Sequence, residues 1–168
     1  MIIVSTIALV FSVISIIISL IIGHNQIETN KNSLKPMCHI LCRDYVDDIS
    51  VNLHNYGVGP MVIENITIVK KDEISETTYT KLYVALEKTN TYLKSHRMAY
   101  ADFSGDIIGR PIPANSNIFL VRISPKNDEI RKIVRKELSS LTIKVCYSDV
   151  FGTKREEIKD LMWFARTI

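Results

Sequence analysis

The sequence predicts a mainly β protein: one N-terminal transmembrane helix followed by a small antiparallel β-sandwich-like domain with two inserted helices. Three observations carry this expectation. Every Asp, Glu, Lys and Arg lies after Gly23, so the chain opens on a run without a charged side chain. From Met37 onward, apolar residues mostly alternate with polar ones, the period that a half-buried strand requires. Two stretches, Thr78–Ser95 and the one after Asn127, switch instead to spacings of 3 and 4, the mark of a helix with one buried face. The 168 residues thus divide into 1–23, a transmembrane helix, 24–36, a linker, and 37–168, a soluble β-rich domain. A content of 46% hydrophobic residues excludes a disordered chain, and three cysteines exclude a fully paired disulfide scaffold.

The run Ile2–Ile22 reads IIVSTIALVFSVISIIISLII. At 1.5 Å per residue it spans about 32 Å as a helix, close to the ~30 Å hydrocarbon core of a bilayer. Its many β-branched residues are mediocre helix formers in water. Lipid, however, offers the backbone no other hydrogen-bond partner, so the helix is forced. No Lys or Arg precedes the run and no small-x-small site follows it, which argues for a retained anchor over a cleaved signal peptide. Lys31, Lys35 and Arg43 follow it, and the positive-inside bias therefore places the domain in the cytoplasm. The odd number of cysteines agrees with a reducing compartment. The sequon Asn65-Ile66-Thr67 falls in an expected strand and is read as chance.

Within the helix, Ser5, Ala8, Ser12, Ser15 and Ser19 are spaced 3, 4, 3 and 4, a stripe of small residues along one side. Helices in lipid associate through close backbone approach and interhelical hydrogen bonds, so the stripe predicts a homo-oligomer. The alternative is that each serine bonds its own i−4 carbonyl and the pattern is accidental.

In the domain, Cys38, Ile40 and Cys42 share one face of a first strand, and Ile49, Val51 and Leu53 one face of a second. Asn55-Tyr56-Gly57-Val58-Gly59-Pro60 is turn chemistry, and a third strand, Met61–Lys70, is expected to place Val62, Ile66 and Ile68 inward, with a bulge. A helix over Thr78–Ser95 follows, then a loop over Ala101–Asn117 and a strand with Phe119, Val121 and Ile123 inward. Asn127 caps a second helix whose inner side is Ile130, Ile133, Val134 and Leu138; Asp128 and Glu129 at its start and Arg135 and Lys136 near its end suit its dipole. Leu141, Ile143, Val145 and Tyr147 form the next buried strand face, Phe151-Gly152 turns the chain, and Glu157–Phe164 is the last expected strand.

Three motifs, Asn55-Tyr56-Gly57-Val58-Gly59-Pro60-Met61-Val62-Ile63, Gly109-Arg110-Pro111-Ile112-Pro113-Ala114-Asn115 and Tyr147-Ser148-Asp149-Val150-Phe151-Gly152, resemble those of a loosely defined group of uncharacterised bacterial single-pass membrane proteins with a small C-terminal β-domain. The resemblance covers roughly Pro36–Lys154 and implies a bacterial inner-membrane location, with no activity or catalytic residues attached. Met61 stands where a smaller residue is usual in that group, and Thr78–Ser95 is an insertion.

Residues able to carry chemistry are few. Cys38, His39, Cys42, His54 and Cys146 have metal-ligand side chains, but in a strand Cys38 and Cys42 face one way and His39 the other, so they are read as core and no metal is expected. Asp44, Asp47 and Asp48 are read as a solvated acidic turn, since they lack the spacing of a calcium loop. No nucleophile elbow, P-loop, HExxH or dinucleotide fingerprint occurs, so neither a catalytic residue nor a cofactor is expected. Arg131, Lys132, Arg135 and Lys136 form a basic side on the second helix, and Arg110 sits on a loop; these are the candidate anion ligands, for anionic lipid or a nucleotide. The functional expectation is a membrane-anchored, self-associating binding or scaffolding module without catalytic activity, its protein partner open. The alternative is an effector or sensor in which a phosphate-containing ligand on the domain alters helix packing or permeability.

Overall fold

The computed structural model describes residues 2–71, 76–89 and 107–167. Its first element, α1, runs Ile2–Ser33. The strands are β1 (Cys38–Tyr45), β2 (Asp48–Asn55), β3 (Met61–Lys71), β4 (Glu76–Tyr79), β5 (Pro111–Ile112), β6 (Asn117–Ile123), β7 (Leu141–Ser148) and β8 (Lys154–Asp160). Helix α2 (Leu82–Thr89) follows β4, helix α3 (Asp128–Ser139) lies between β6 and β7, and a 3₁₀ helix, Leu161–Thr167, follows β8.

All described pairings are antiparallel and form two sheets. One has the order β1-β2-β6; the other has β4-β3-β7-β8, with β5 on the same edge of β3 as β4 but at its opposite end. Ile40, Ile49, Val51, Leu53, Val121 and Ile123 from the first sheet meet Met61, Ile63, Ile68, Ile143 and Val145 from the second in one core. The strand ends carrying Cys38, Asn55, Met61 and Ser148 lie toward α1. At the other end, α3 joins Ile123 to Leu141, and the 3₁₀ helix packs on α3.

Several expectations are corrected. The polar stretch 24–33 is helix, and the connection to β1 is only Leu34–Met37. A helix already nucleated by its apolar run propagates at little cost until something breaks it. Thr29 and Ser33 also donate their hydroxyls to the carbonyls of Asn25 and Thr29, absorbing side chains that would otherwise compete for the backbone.

In β3 the buried residues are Met61, Ile63, Ile66 and Ile68, with Val62 only partly covered. The pairing with β7 skips Glu64, and this one-residue bulge moves the inward parity from odd to even positions. A second bulge, at Leu120, puts Phe119 opposite Asn52 on the outer face of its sheet, while Val121 and Ile123 keep the inner one. The expected last strand ends at Asp160; Leu161 and Phe164, spaced by three, are buried from the 3₁₀ helix. Thr78 and Tyr79 belong to β4, and helix α2 begins at Leu82; residues 90–95 of the expected helix and 101–106 of the expected loop lie outside the described residues.

Helix α3 forms as its sequence requires. The Asn127 side chain accepts from the Ile130 amide at 2.9 Å, and Ile130, Val134 and Leu138 are buried. In β7, Leu141, Ile143, Val145 and Tyr147 all face the core.

Candidate functional site

Among the described residues, the most tightly built polar constellation surrounds Asn55, the last residue of β2, which is fully buried. Its Oδ1 accepts from the amides of Met37 at 3.1 Å and Gly57 at 3.0 Å. Its Nδ2 donates to the carbonyls of Gly59 at 2.8 Å, Ile112 at 3.2 Å and Pro113 at 3.2 Å. Its own backbone amide donates to Ser116, and its carbonyl accepts from Asn115. One amide side chain therefore clamps the exit of α1, the β2–β3 turn and the segment around β5. An amide suits this place because it offers acceptor and donor together.

The two glycines of the turn are explained by the same junction. A Cβ at Gly57 would overlap the Lys35 carbonyl, and one at Gly59 the Leu34 carbonyl, so the turn lies directly against the chain leaving α1. The Tyr56 amide adds a bond to the Met37 carbonyl at 2.9 Å. The β7–β8 turn closes the same side, where Phe151 lines a groove with Ile27, Asn30, Ser33 and Leu34, and Lys31 Nζ lies 5.8 Å from the Phe151 ring. Asp149 holds this turn through its Oδ1, which accepts from the amides of Phe151 and Thr153 at 2.9 Å each. Burial opposes its ionisation, but those bonds outweigh burial and keep its carboxyl below the usual range.

The candidate anion ligands do not converge. Arg131 and Arg135 turn toward Asp44 on β1: Arg135 Nη2 is 2.7 Å from Oδ2 and Arg131 Nε is 3.6 Å from Oδ1. The Asp44 side chain is only 5% exposed, so it is the counter-ion of α3 and not part of a solvated turn, as its sequence neighbourhood suggested. Asp48 pairs separately with Arg122 at 3.2 Å. Lys132 and Lys136 remain exposed on α3, at the end of the domain away from α1. Arg110 is exposed near the Asn55 clamp, at the opposite end.

Along α1 from Leu9, and on through Leu34 and Lys35, every described side chain is exposed, including Ser12, Ser15 and Ser19; the side chains of Ser5 and Ala8 lie outside the described residues. Ser15 donates to the Phe11 carbonyl at 2.9 Å, the local bond that competes with an interhelical one.

Cys38 points into the core and His39 away from it; His39 lies 3.5 Å from Glu157, and the His54 ring stacks on Tyr56 at 3.9 Å. Among the described residues no group of three His, Cys, Asp or Glu side chains could hold a metal ion. Burial, reinforced by the Glu157 carboxylate, pushes the Cys38 thiol up from 9.0 to about 12. The folded value exceeds the unfolded one, so the thiol's contribution to stability is complete below pH 9.0 and is lost as pH rises toward about 12. Unfolding free energies measured across that window should fall more steeply for the native chain than for Cys38→Ala, by up to about 1.4 kcal/mol per pH unit. Equal slopes would show that Cys38 ionises as readily folded as unfolded.

Sequence reasoning read Asn55 only as part of a turn and did not single out its side chain. The signal available was an amide beside two glycines directly after a strand. It also passed over Ser50 and Asn52, fully buried on the outer face of β2, whose side chains have no hydrogen-bond partner among the described residues. No protein-family model, curated protein or solved structure matches this chain.

Proposed function

We propose that the protein is a single-pass, self-associating membrane anchor that presents a small β-domain as a binding or scaffolding module without catalytic activity. In this reading the two sheets form a small sandwich, and the anchor crosses a bacterial inner membrane with the domain in the cytoplasm. Lys31, Lys35 and Arg43 support that orientation, and the free thiols Cys38, Cys42 and Cys146 are compatible with it. The observation that carries the proposal is the continuity of α1. The helix is long and apolar enough to cross a membrane from Leu9 onward, and its polar end enters the Asn55 clamp after a connection of only four residues, 34–37. Such a short junction holds the domain close to the end of the helix, which suits a platform for a partner.

Asparagine scanning of the helix in detergent tests the self-association. Ser12→Asn and Ser15→Asn are expected to change the oligomer distribution on crosslinking, whereas Ile16→Asn and Ile17→Asn are expected to leave it near wild type. A uniform response at all four positions would remove the stripe as an interface.

The clamp also favours a second reading, an effector or sensor in which a phosphate-containing ligand on the domain alters helix packing. A short connection lets reorientation of the domain bias the helices. Dye leakage on overexpression that depends on Ser12 and Ser15 would support it, and leakage indifferent to them would not.

A further inference from the structure

We infer that the β7–β8 turn at the helix-bearing end of the domain rests on the headgroup layer of the same bilayer that holds α1, an inference that relies on the anchor reading above. Two large apolar side chains are exposed there, Val150 and Phe151, the latter at 46%. Both belong to the turn that shares a groove with Ile27 of α1, and Ile108 is exposed beside Arg110 on the neighbouring loop.

Height decides the occupant. The apolar run ends at Ile22, and Phe151 shares a groove with Ile27. Five residues of helix rise about 7.5 Å, while the headgroup region extends roughly 5–8 Å beyond the hydrocarbon on each side. The groove continues up α1 through Asn30 and Ser33 to Leu34, so it is the lower edge of the Phe151 turn that reaches headgroup level, and a helix tilt of about 20° toward that side brings it closer still. The chemistry agrees: Lys31, Lys35 and Arg110 are exposed around the apolar tips, the mixture of cations and amphipathic rings that suits an anionic lipid surface. The exposed lysines of α3, by contrast, sit at the far end of strands about 25 Å long.

The native chain contains one tryptophan, Trp163, in the 3₁₀ helix that packs on α3 at the far end, and it serves as an internal control. Full-length wild type, Phe151→Trp and Val150→Trp are reconstituted into vesicles of phosphatidylcholine and phosphatidylglycerol, with part of the phosphatidylcholine carrying a headgroup nitroxide. Insertion is scored in the same samples by resistance to alkaline carbonate. The inference requires loss of most of the emission contributed by the added indole in both variants, with wild-type emission unchanged. Carbonate-resistant protein with an unquenched added indole would overturn the headgroup contact and leave the anchor standing, even if a blue-shifted emission showed a second copy covering the tips. Protein stripped by carbonate would overturn the anchor, and the contact with it.

Discussion

Replacing Asn55 by alanine is expected to lower the stability of the domain by about 3–5 kcal/mol, a large share of the ~5–15 kcal/mol typical of a domain. The side chain is fully buried and serves two amides and three carbonyls on three separate segments. A buried polar group left without its partner costs roughly 1–3 kcal/mol, and water entering the space recovers part of the total. Asn55→Asp should not rescue: its carboxylate could still accept from Met37 and Gly57, but it would confront the carbonyls of Gly59, Ile112 and Pro113 without a donor. Gly59→Ala should share the phenotype, because its Cβ overlaps the Leu34 backbone rather than a yielding side chain. Denaturant unfolding of the full chain in detergent, followed by circular dichroism, measures the loss, and limited proteolysis reports whether the 34–37 connection opens before the domain does. A wild-type midpoint in Asn55→Ala would mean that the clamp contributes no stability.

The clamp also shows how far the sequence could be read. Alternation along β1, β2 and β7 and the capped periodicity of α3 were legible because each pattern repeats within one element and needs no knowledge of its neighbours. The bulges at Glu64 and Leu120 were not, since a one-residue insertion in a ladder leaves no compositional mark and only the partner strand reveals it. Continuation of α1 through 24–33 was missed because Asn, Thr and His are judged by propensity, a weak guide once a long helix already exists. The site suffered most. The basic side of α3 looks the same in sequence whether its arginines meet water or a carboxylate, and Asp44, their partner, lies more than eighty residues earlier in the chain.

That partnership yields the other large effect. Asp44→Ala is expected to destabilise the domain by about 3–5 kcal/mol, the range for removing one member of a buried ion cluster. The side chains of Asp44, Arg131 and Arg135 are only 5%, 11% and 15% exposed, so solvent screens them little, and the loss should depend weakly on salt. Without the carboxylate, two guanidiniums on successive turns of α3 face each other at the i, i+4 spacing, where like charges repel. Asp44→Asn, which keeps an acceptor and loses the charge, should fall between alanine and wild type. Replacing Arg131 and Arg135 by methionine in the Asp44→Ala background should recover much of the loss, because an apolar substitute carries no desolvation cost. Inorganic phosphate separates this structural role from an anion site. It should raise the denaturation midpoint of Asp44→Ala by occupying the position of the missing carboxylate, and leave that of the native chain unchanged. An equal rise in both would mean that the arginines already accept an outside anion with Asp44 in place, and α3 would then regain its standing as a ligand-binding surface.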